Sequence, residues 1–150
     1  MLRIRLVDTS DDATKALLRW LQLKTLPGDV PHDVKDGLWW IVEDGDHPVG
    51  FAGLVASRRY MGVGYLCRSG ILHDYRGRGL QKRLIRVRIA KARRMGWQWL
   101  ISDTFENPPS ANSLIKCGFQ TFTPADPWGF KGAIYWRKSL VPKTAVTQAA

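Results

Sequence analysis

Ile71-Leu72-His73-Asp74-Tyr75-Arg76-Gly77-Arg78-Gly79-Leu80-Gln81 is the stretch from which the rest of the chain can be ordered. Gly64 to Leu72 reads as a strand interrupted by glycine at 64 and 70, and an isolated glycine in a strand marks a bulge or a close backbone approach. The residues that follow the turn read as a helix to about Met95, closed by Gly96 in the position of a C-terminal cap. The unit is therefore strand, glycine-rich turn, helix. Gly77 and Gly79 let the backbone curl so that successive N–H groups face one concavity, and the helix they open adds the positive end of its dipole. Arg76 and Arg78 place two positive charges beside that anion site, which suits a diphosphate better than a single carboxylate. Spacing excludes a G-x-x-x-x-G-K-[ST] loop, and the dinucleotide fingerprint lacks its third glycine. A glycine pair before a helix also serves as a plain turn, so these residues alone leave both readings open.

Working outward, Leu2 to Val7 alternates like a strand, and Asp8-Thr9-Ser10-Asp11-Asp12 offers caps for a helix running to about Lys24, ended by Pro27, Gly28 and Pro31. Leu38 to Glu43 and Val49 to Ser57 flank Asp44-Gly45-Asp46-His47-Pro48, the pattern of a β-hairpin. Beyond Gly96, Trp97 to Asp103 reads as a buried strand, and Asn107-Pro108-Pro109-Ser110 opens a helix from about Ser110 to Cys117, ended by Gly118. Phe119 to Thr123 and Ala133 to Leu140 complete the order β α β β β α β α β β, an α/β (α+β) arrangement. One domain over residues 1–140 and a flexible C-terminal tail over 141–150 are expected.

Composition bounds the function. With 45% hydrophobic and 24% charged residues over 150 positions, the chain reads as soluble and globular. No apolar run reaches the roughly 18 to 20 residues a membrane span requires, and the alternating start Met1-Leu2-Arg3-Ile4-Arg5-Leu6 shows no secretory signal. Cys67 and Cys117 lie far apart without ligand spacing, which favours a reducing cytoplasm over a disulfide or zinc scaffold. His32, His47 and His73 are likewise scattered, so no metal is expected. The net charge of +10 implies attraction to something anionic, which includes nucleic acid, an acidic protein or an anionic cofactor. Lys82, Arg83, Arg86, Arg88, Lys91, Arg93 and Arg94 spread around most of the central helix and form no single stripe, so a solvated basic helix is the default.

The segment Ile71 to Gln81 resembles the acetyl-CoA motif of the GNAT family of N-acetyltransferases, a strand followed by Q/R-x-x-G-x-G/A at the head of a helix. Arg76 and Gly79 match its first two fixed positions, and Gln81 replaces the usual final glycine or alanine. Asn107, followed eleven residues later by Gly118-Phe119, matches a second signature, and the strand order fits over residues 1–140. The resemblance implies a mixed, mostly antiparallel sheet flanked by helices, with a splayed central strand pair whose gap takes the pantetheine arm. It implies that acetyl-CoA lies against Ile71, Leu72 and His73 through backbone groups, with a backbone N–H there polarising the thioester carbonyl. Its pyrophosphate would sit on Arg76, Gly77, Arg78, Gly79, Leu80 and Gln81. Asn107 and Ser110 would contact the pantetheine arm, cap the helix, or both.

Proton transfer is written less clearly. Where family members carry a tyrosine seven residues after the asparagine this chain has Leu114, and where some carry a glutamate five before it the residue is Ser102. An alkyl ammonium with a pKa of roughly 10 has no lone pair, so a base is needed. Glu106 shares the period-two parity of Ser102 and Thr104 and is the first candidate; Asp103, on the other parity, is the second. Both are also ordinary turn or cap acids by type. Leu26 to Gly37, and Pro124 to Gly132 with Trp128 and Phe130, occupy positions that in the family wall the acceptor site; Trp39, Trp40, Trp97, Trp99 and Trp136 read as core or sheet surface. The expected activity is acyl transfer from acetyl-CoA to a primary amine of a small molecule or peptide, by a monomer or homodimer. The same chemistry on a nucleic-acid-linked amine, and a non-catalytic CoA- or nucleic-acid-binding module, are the alternatives.

Overall fold

A computed structural model describes residues 1–142, so most of the tail expected from Val141 lies outside the described residues. The elements are β1 (Leu2–Leu6), α1 (Asp12–Thr25), β2 (Leu38–Asp44), β3 (His47–Ala56), β4 (Val63–Ile71), α2 (Leu80–Arg94), β5 (Trp99–Thr104), α3 (Pro108–Lys116), β6 (Gln120–Phe122) and β7 (Ile134–Ser139), with a single 3-10 turn at His73–Tyr75. The order read from sequence is the order observed. The seven strands form a mostly antiparallel sheet, β1-β2-β3-β4-β5-β7-β6. Its one parallel ladder among those described joins Val63, Gly64 and Tyr65 of β4 to Trp99, Leu100 and Ile101 of β5.

The chain divides into two compact units, Met1–Val55 with Leu66–Leu84, and Ala56–Tyr65 with the residues from Ile85 onward. In the first, Asp11 caps α1 by accepting from the Thr14 N–H, and Leu18, Leu21, Gln22 and Thr25 make its buried stripe at helical spacing. Val7, Leu18, Leu21, Val34, Trp39, Ile41 and Phe51 pack together as the core, with Trp39 and Phe51 stacked at 6.3 Å. Each such side chain contributes roughly 1.5–3 kcal/mol by leaving water. The buried Gln22 side chain donates to the His32 carbonyl at 3.1 Å and accepts from the His32 N–H at 2.7 Å, which fastens the irregular segment 26–37 to α1.

In the second unit β5 pairs antiparallel with β7 from Trp99↔Ser139 to Thr104↔Ile134, and β6 pairs with β7 on the other side. Alternation then sorts β5. Leu100, Ser102 and Thr104 face one way and are buried, and the Trp136 indole donates to Thr104 Oγ1 at 3.0 Å. Trp99, Ile101 and Asp103 face the other way, with Val63 and Tyr65 beside them on β4 and Arg137 and Tyr135 beside them on β7. Gly64 marks a close approach, because a Cβ there would collide with the Trp97 ring.

Three sequence expectations change. Trp97 precedes β5 and is only half-buried, since the strand starts at Trp99. Trp99, within the strand read as buried, is 37% exposed and lies on the sheet surface, one of the two readings left open for it. Arg88 departs from the solvated face expected of α2. It is buried within the stripe Leu84, Ile85, Ile89 and Ala92, while Arg83, Arg86, Arg93 and Arg94 are exposed.

Candidate functional site

The glycine turn belongs to the first unit. After β4 the Leu72 N–H donates to the Val49 carbonyl at 2.8 Å, and the turn at His73–Tyr75 reverses the chain through Tyr75 N–H to Leu72 O at 2.9 Å and Arg76 N–H to His73 O at 3.2 Å. Gly77 (φ 77°) and Gly79 (φ 75°) both take the left-handed conformation that side chains disfavour. A Cβ at Gly77 would meet nothing within 4 Å, and one at Gly79 only the Lys82 side chain at 3.8 Å, so the concavity is open. It leads into the first turn of α2, whose N–H groups have no intrahelical acceptors.

Side chains hold this turn from three sides. Arg76 Nε donates to the Ile71 carbonyl at 3.1 Å, and that oxygen keeps a second lone pair. Arg78 donates to the Asp74 carbonyl at 3.2 Å and lies 4.6 Å from the centre of the Tyr75 ring. The Tyr75 hydroxyl donates to Asp44 at 2.7 Å, tying the turn to the end of β2. That hydrogen bond lowers the Asp44 carboxyl and raises the Tyr75 phenol from their ordinary values. Gln81, which departs from the family motif, accepts from Ser69 Oγ at 3.0 Å and so links α2 to β4.

The second unit carries an acid set among aromatic rings. Asp103 Oδ1 accepts from the Tyr65 hydroxyl at 2.5 Å and from the Trp128 indole at 3.1 Å. Oδ2 accepts no hydrogen bond from the described residues and faces Gly129, where a Cβ would sit 3.5 Å from that oxygen and 3.2 Å from both the Tyr135 hydroxyl and the Ala133 methyl. Trp128 packs edge-on against Tyr135 at 4.5 Å and Tyr65 at 6.5 Å, and tilted against Phe122 at 6.3 Å. The Tyr135 hydroxyl accepts from the Gly129 N–H at 2.8 Å, which fixes the loop carrying Trp128. Arg59 lies 5.6 Å from the Trp128 ring centre and pairs with Asp126 at 2.9 Å. Phe130, in the same segment as Trp128, is 76% exposed and tilts against Phe105.

Glu106 lies in another environment. β5 ends at Thr104, so period-two parity does not reach Glu106, which is exposed and has a left-handed backbone at φ 48°. Asn107 caps α3 by accepting from the Ser110 N–H at 3.2 Å, with Pro108 in the first turn. Cys117 and Gly118 (φ 90°) close that helix, and the Phe119 N–H returns to the Leu114 carbonyl at 3.0 Å. Among the described residues no cluster of His, Cys, Asp and Glu could hold a metal ion, and no helix is long and apolar enough to cross a membrane.

The sequence pattern of the acetyltransferase (GNAT) family matches residues 8–119, which include both the glycine turn and the Asn107 cap. The chain belongs to the GNAT family. Solved GNAT-fold structures agree. The Bacillus subtilis acetyltransferase in complex with CoA is 19% identical, with 94% of this chain and 100% of that one covered at a TM-score of 0.73. An alanine N-acetyltransferase of a ribosomal protein from Escherichia coli is 16% identical, covering 93% and 94% at 0.69. YncA of Salmonella typhimurium, with its cofactor acetyl-CoA, is 17% identical, covering 93% and 94% at 0.68. No curated protein matches the chain by sequence.

Against this GNAT frame, Ile71 to Gln81 form one local structure in the first unit, and Asp103, Glu106, Asn107 and Ser110 belong to the second. Sequence reasoning missed Tyr65, the partner of Asp103. The two meet because Tyr65 registers with Ile101, one same-face step before Asp103, and a parallel register leaves no short-range signal.

Proposed function

We propose that the chain transfers an acetyl group from acetyl-CoA to a primary amine of a small molecule or peptide, with Asp103 as the group that receives the amine. The single observation that carries this is the division of labour within one carboxylate. Oδ1 is fixed by Tyr65 and Trp128, while Oδ2 accepts no hydrogen bond from the described residues. A positioned carboxylate oxygen among aromatic rings suits an ammonium group both by charge and by ring quadrupole. Glu106, exposed and outside the strand, is the weaker candidate.

The donor side rests on the glycine turn. Family membership, the left-handed Gly77 and Gly79 and the flanking Arg76 and Arg78 support a pyrophosphate there, with Leu80 and Gln81 opening the helix behind it. The pantetheine arm would run along Ile71, Leu72 and His73. The Leu72 N–H is already committed to Val49, so the His73 amide is the better donor toward the thioester carbonyl. Asn107 shapes the start of α3 as its cap, and Ser110 supplies the capped N–H.

In the reaction the bound ammonium gives a proton to Asp103, and the nitrogen lone pair attacks the thioester carbonyl carbon. The C–N bond forms, the C–S bond breaks and CoA leaves as the thiolate; the attacking nitrogen sheds its second proton, which protonates the thiolate, and Asp103 returns the first to solvent. Direct transfer of this kind needs no protein nucleophile. The test is thiol release from acetyl-CoA across a panel of primary amines and peptides, with Asp103→Asn beside the wild type. A drop of about a hundredfold in kcat/KM for Asp103→Asn, at unchanged acetyl-CoA affinity, is expected. Acetyl-CoA binding without acetylation of any amine would overturn the assignment.

A further inference from the structure

On the face of the sheet that carries Asp103, a cavity of about 330 Å³ opens toward the start of β4, lined by Tyr60, Val63, Trp99, Ile101, Phe122 and Arg137 among others. That is the lower end of the size range of small-molecule pockets, roughly 300–1,000 Å³. Its walls explain why Trp99, an indole on a strand, is not buried by protein. Arg137 is the one charged side chain among the described residues of the lining. Its guanidinium lies 5.5 Å from the centre of the Trp99 ring and 5.1 Å from that of Phe122, and it has no carboxylate partner among the described residues. Two rings thus orient an exposed cation that pairs with no carboxylate among the described residues.

The strand register fixes how this cation relates to Asp103. Arg137 pairs with Ile101, and Tyr135 with Asp103, so the guanidinium and the carboxylate project from the same face of adjacent strands, one same-face step apart. Such a step is about 7 Å along a strand. Phe122 joins the two places, since it contacts Trp128 and Tyr135 on one side and Arg137 on the other. The face therefore offers a negative end, an apolar and aromatic middle, and a positive end.

We infer that this pocket seats the body of the acceptor, and that the acceptor is a small primary amine with a carboxylate several bonds away across an apolar or aromatic spacer. The ammonium goes to Asp103 and the carboxylate to Arg137. This rests on the proposed amine acetylation and adds a substrate class to it. A neutral amine of the same shape would leave Arg137 without an anion, and a cationic one would be repelled by it.

Three probes of one shape separate the terms: 4-(aminomethyl)benzoate, 4-(aminomethyl)benzamide and 4-methylbenzylamine. With the wild type, kcat/KM for the carboxylate is expected to exceed that for the amide by about tenfold or more, through KM. Arg137→Gln is expected to bring that ratio to about one, Arg137→Lys to restore part of it, and Arg137→Glu to invert it. Calorimetric titration of 4-(aminomethyl)benzoate into wild type and Arg137→Gln reads the same contact without turnover. Equal use of all three probes by the wild type, or a carboxylate preference that survives Arg137→Gln, would overturn the inference while leaving amine acetylation intact. Arg137-dependent binding with no acetylation of any probe would instead overturn the transfer reading and leave the pocket assignment standing.

Discussion

The Tyr65 hydroxyl donates to Oδ1 of Asp103 at 2.5 Å, from a residue of β4 to the next strand in the sheet. This bond commits Oδ1 and leaves Oδ2 for the proposed acceptor. Tyr65→Phe keeps the ring contact with Trp128 and removes the donor. We expect kcat/KM for amines to fall by about tenfold, since a loosened catalytic group loses alignment, with acetyl-CoA affinity unchanged. Steady-state kinetics beside calorimetry checks this, and wild-type turnover in the variant would contradict it.

Gly129 tests the space beside Oδ2. An alanine methyl would lie 3.2 Å from both the Tyr135 hydroxyl and the Ala133 methyl, and 3.5 Å from Asp103 Oδ2. The backbone there needs no left-handed conformation, and the fold accepts the change if the Tyr135 hydroxyl and Ala133 methyl each give by a few tenths of an ångström, which thermal unfolding checks. KM for the amine is expected to rise several-fold in Gly129→Ala, with kcat less affected. A KM equal to that of the wild type would place the acceptor elsewhere.

The elements were legible in the sequence because their punctuation is local. Asp11, Gly96, Asn107 and Gly118 cap or end helices as residue type predicts, and Gly64 and Gly70 mark close approaches, to Trp97 and to Thr25. The glycine turn was legible for the same reason, as Gly77 and Gly79 reveal their own conformations. The Asp103 environment was not. Its partners Tyr65 and Trp128 lie 38 and 25 residues away, and only the register of β4 on β5 and the path of the β6–β7 connection bring them in. Parity favoured Glu106 over Asp103 only because the end of β5 at Thr104 was not visible. For Trp99 the sequence leaves core and sheet surface both open for a similar cause: alternation shows that it shares a face with Ile101, and not what covers that face.

Gln22 carries a structural prediction. It is nearly fully buried, and its amide satisfies both backbone groups of His32. Gln22→Ala should cost about 2 kcal/mol in denaturant unfolding, the scale of leaving such groups unpaired, and should raise protease cleavage within residues 26–37. Unchanged stability and cleavage would show that solvent replaces the amide without cost.

The Tyr75–Asp44 pair predicts a pH dependence with two limits. Asp44 is lowered from 3.8 chiefly by the Tyr75 hydrogen bond, so its contribution is present above that value and lost as pH falls through the lowered one. Tyr75 is raised from 10.0 chiefly by the Asp44 hydrogen bond, so its contribution is present below that value and lost as pH rises through the raised one. The stability difference between wild type and Tyr75→Phe should therefore be constant near neutral pH and shrink at both extremes. Denaturant midpoints across the pH range check this; a difference that stays constant at both extremes would contradict it.

If acetyl-CoA is held by its pyrophosphate on the turn Arg76 to Gly79, as proposed, calorimetric titration of acetyl-CoA into wild type and Gly79→Asp reads that contact without turnover. An aspartate there puts a carboxylate where the proposed pyrophosphate would meet the backbone, at a left-handed position that aspartate tolerates better than most residues. The account predicts that the wild type binds and that Gly79→Asp binds at least about a hundredfold more weakly, with its thermal unfolding nearly unchanged. Equal affinity of the two proteins for acetyl-CoA would contradict it.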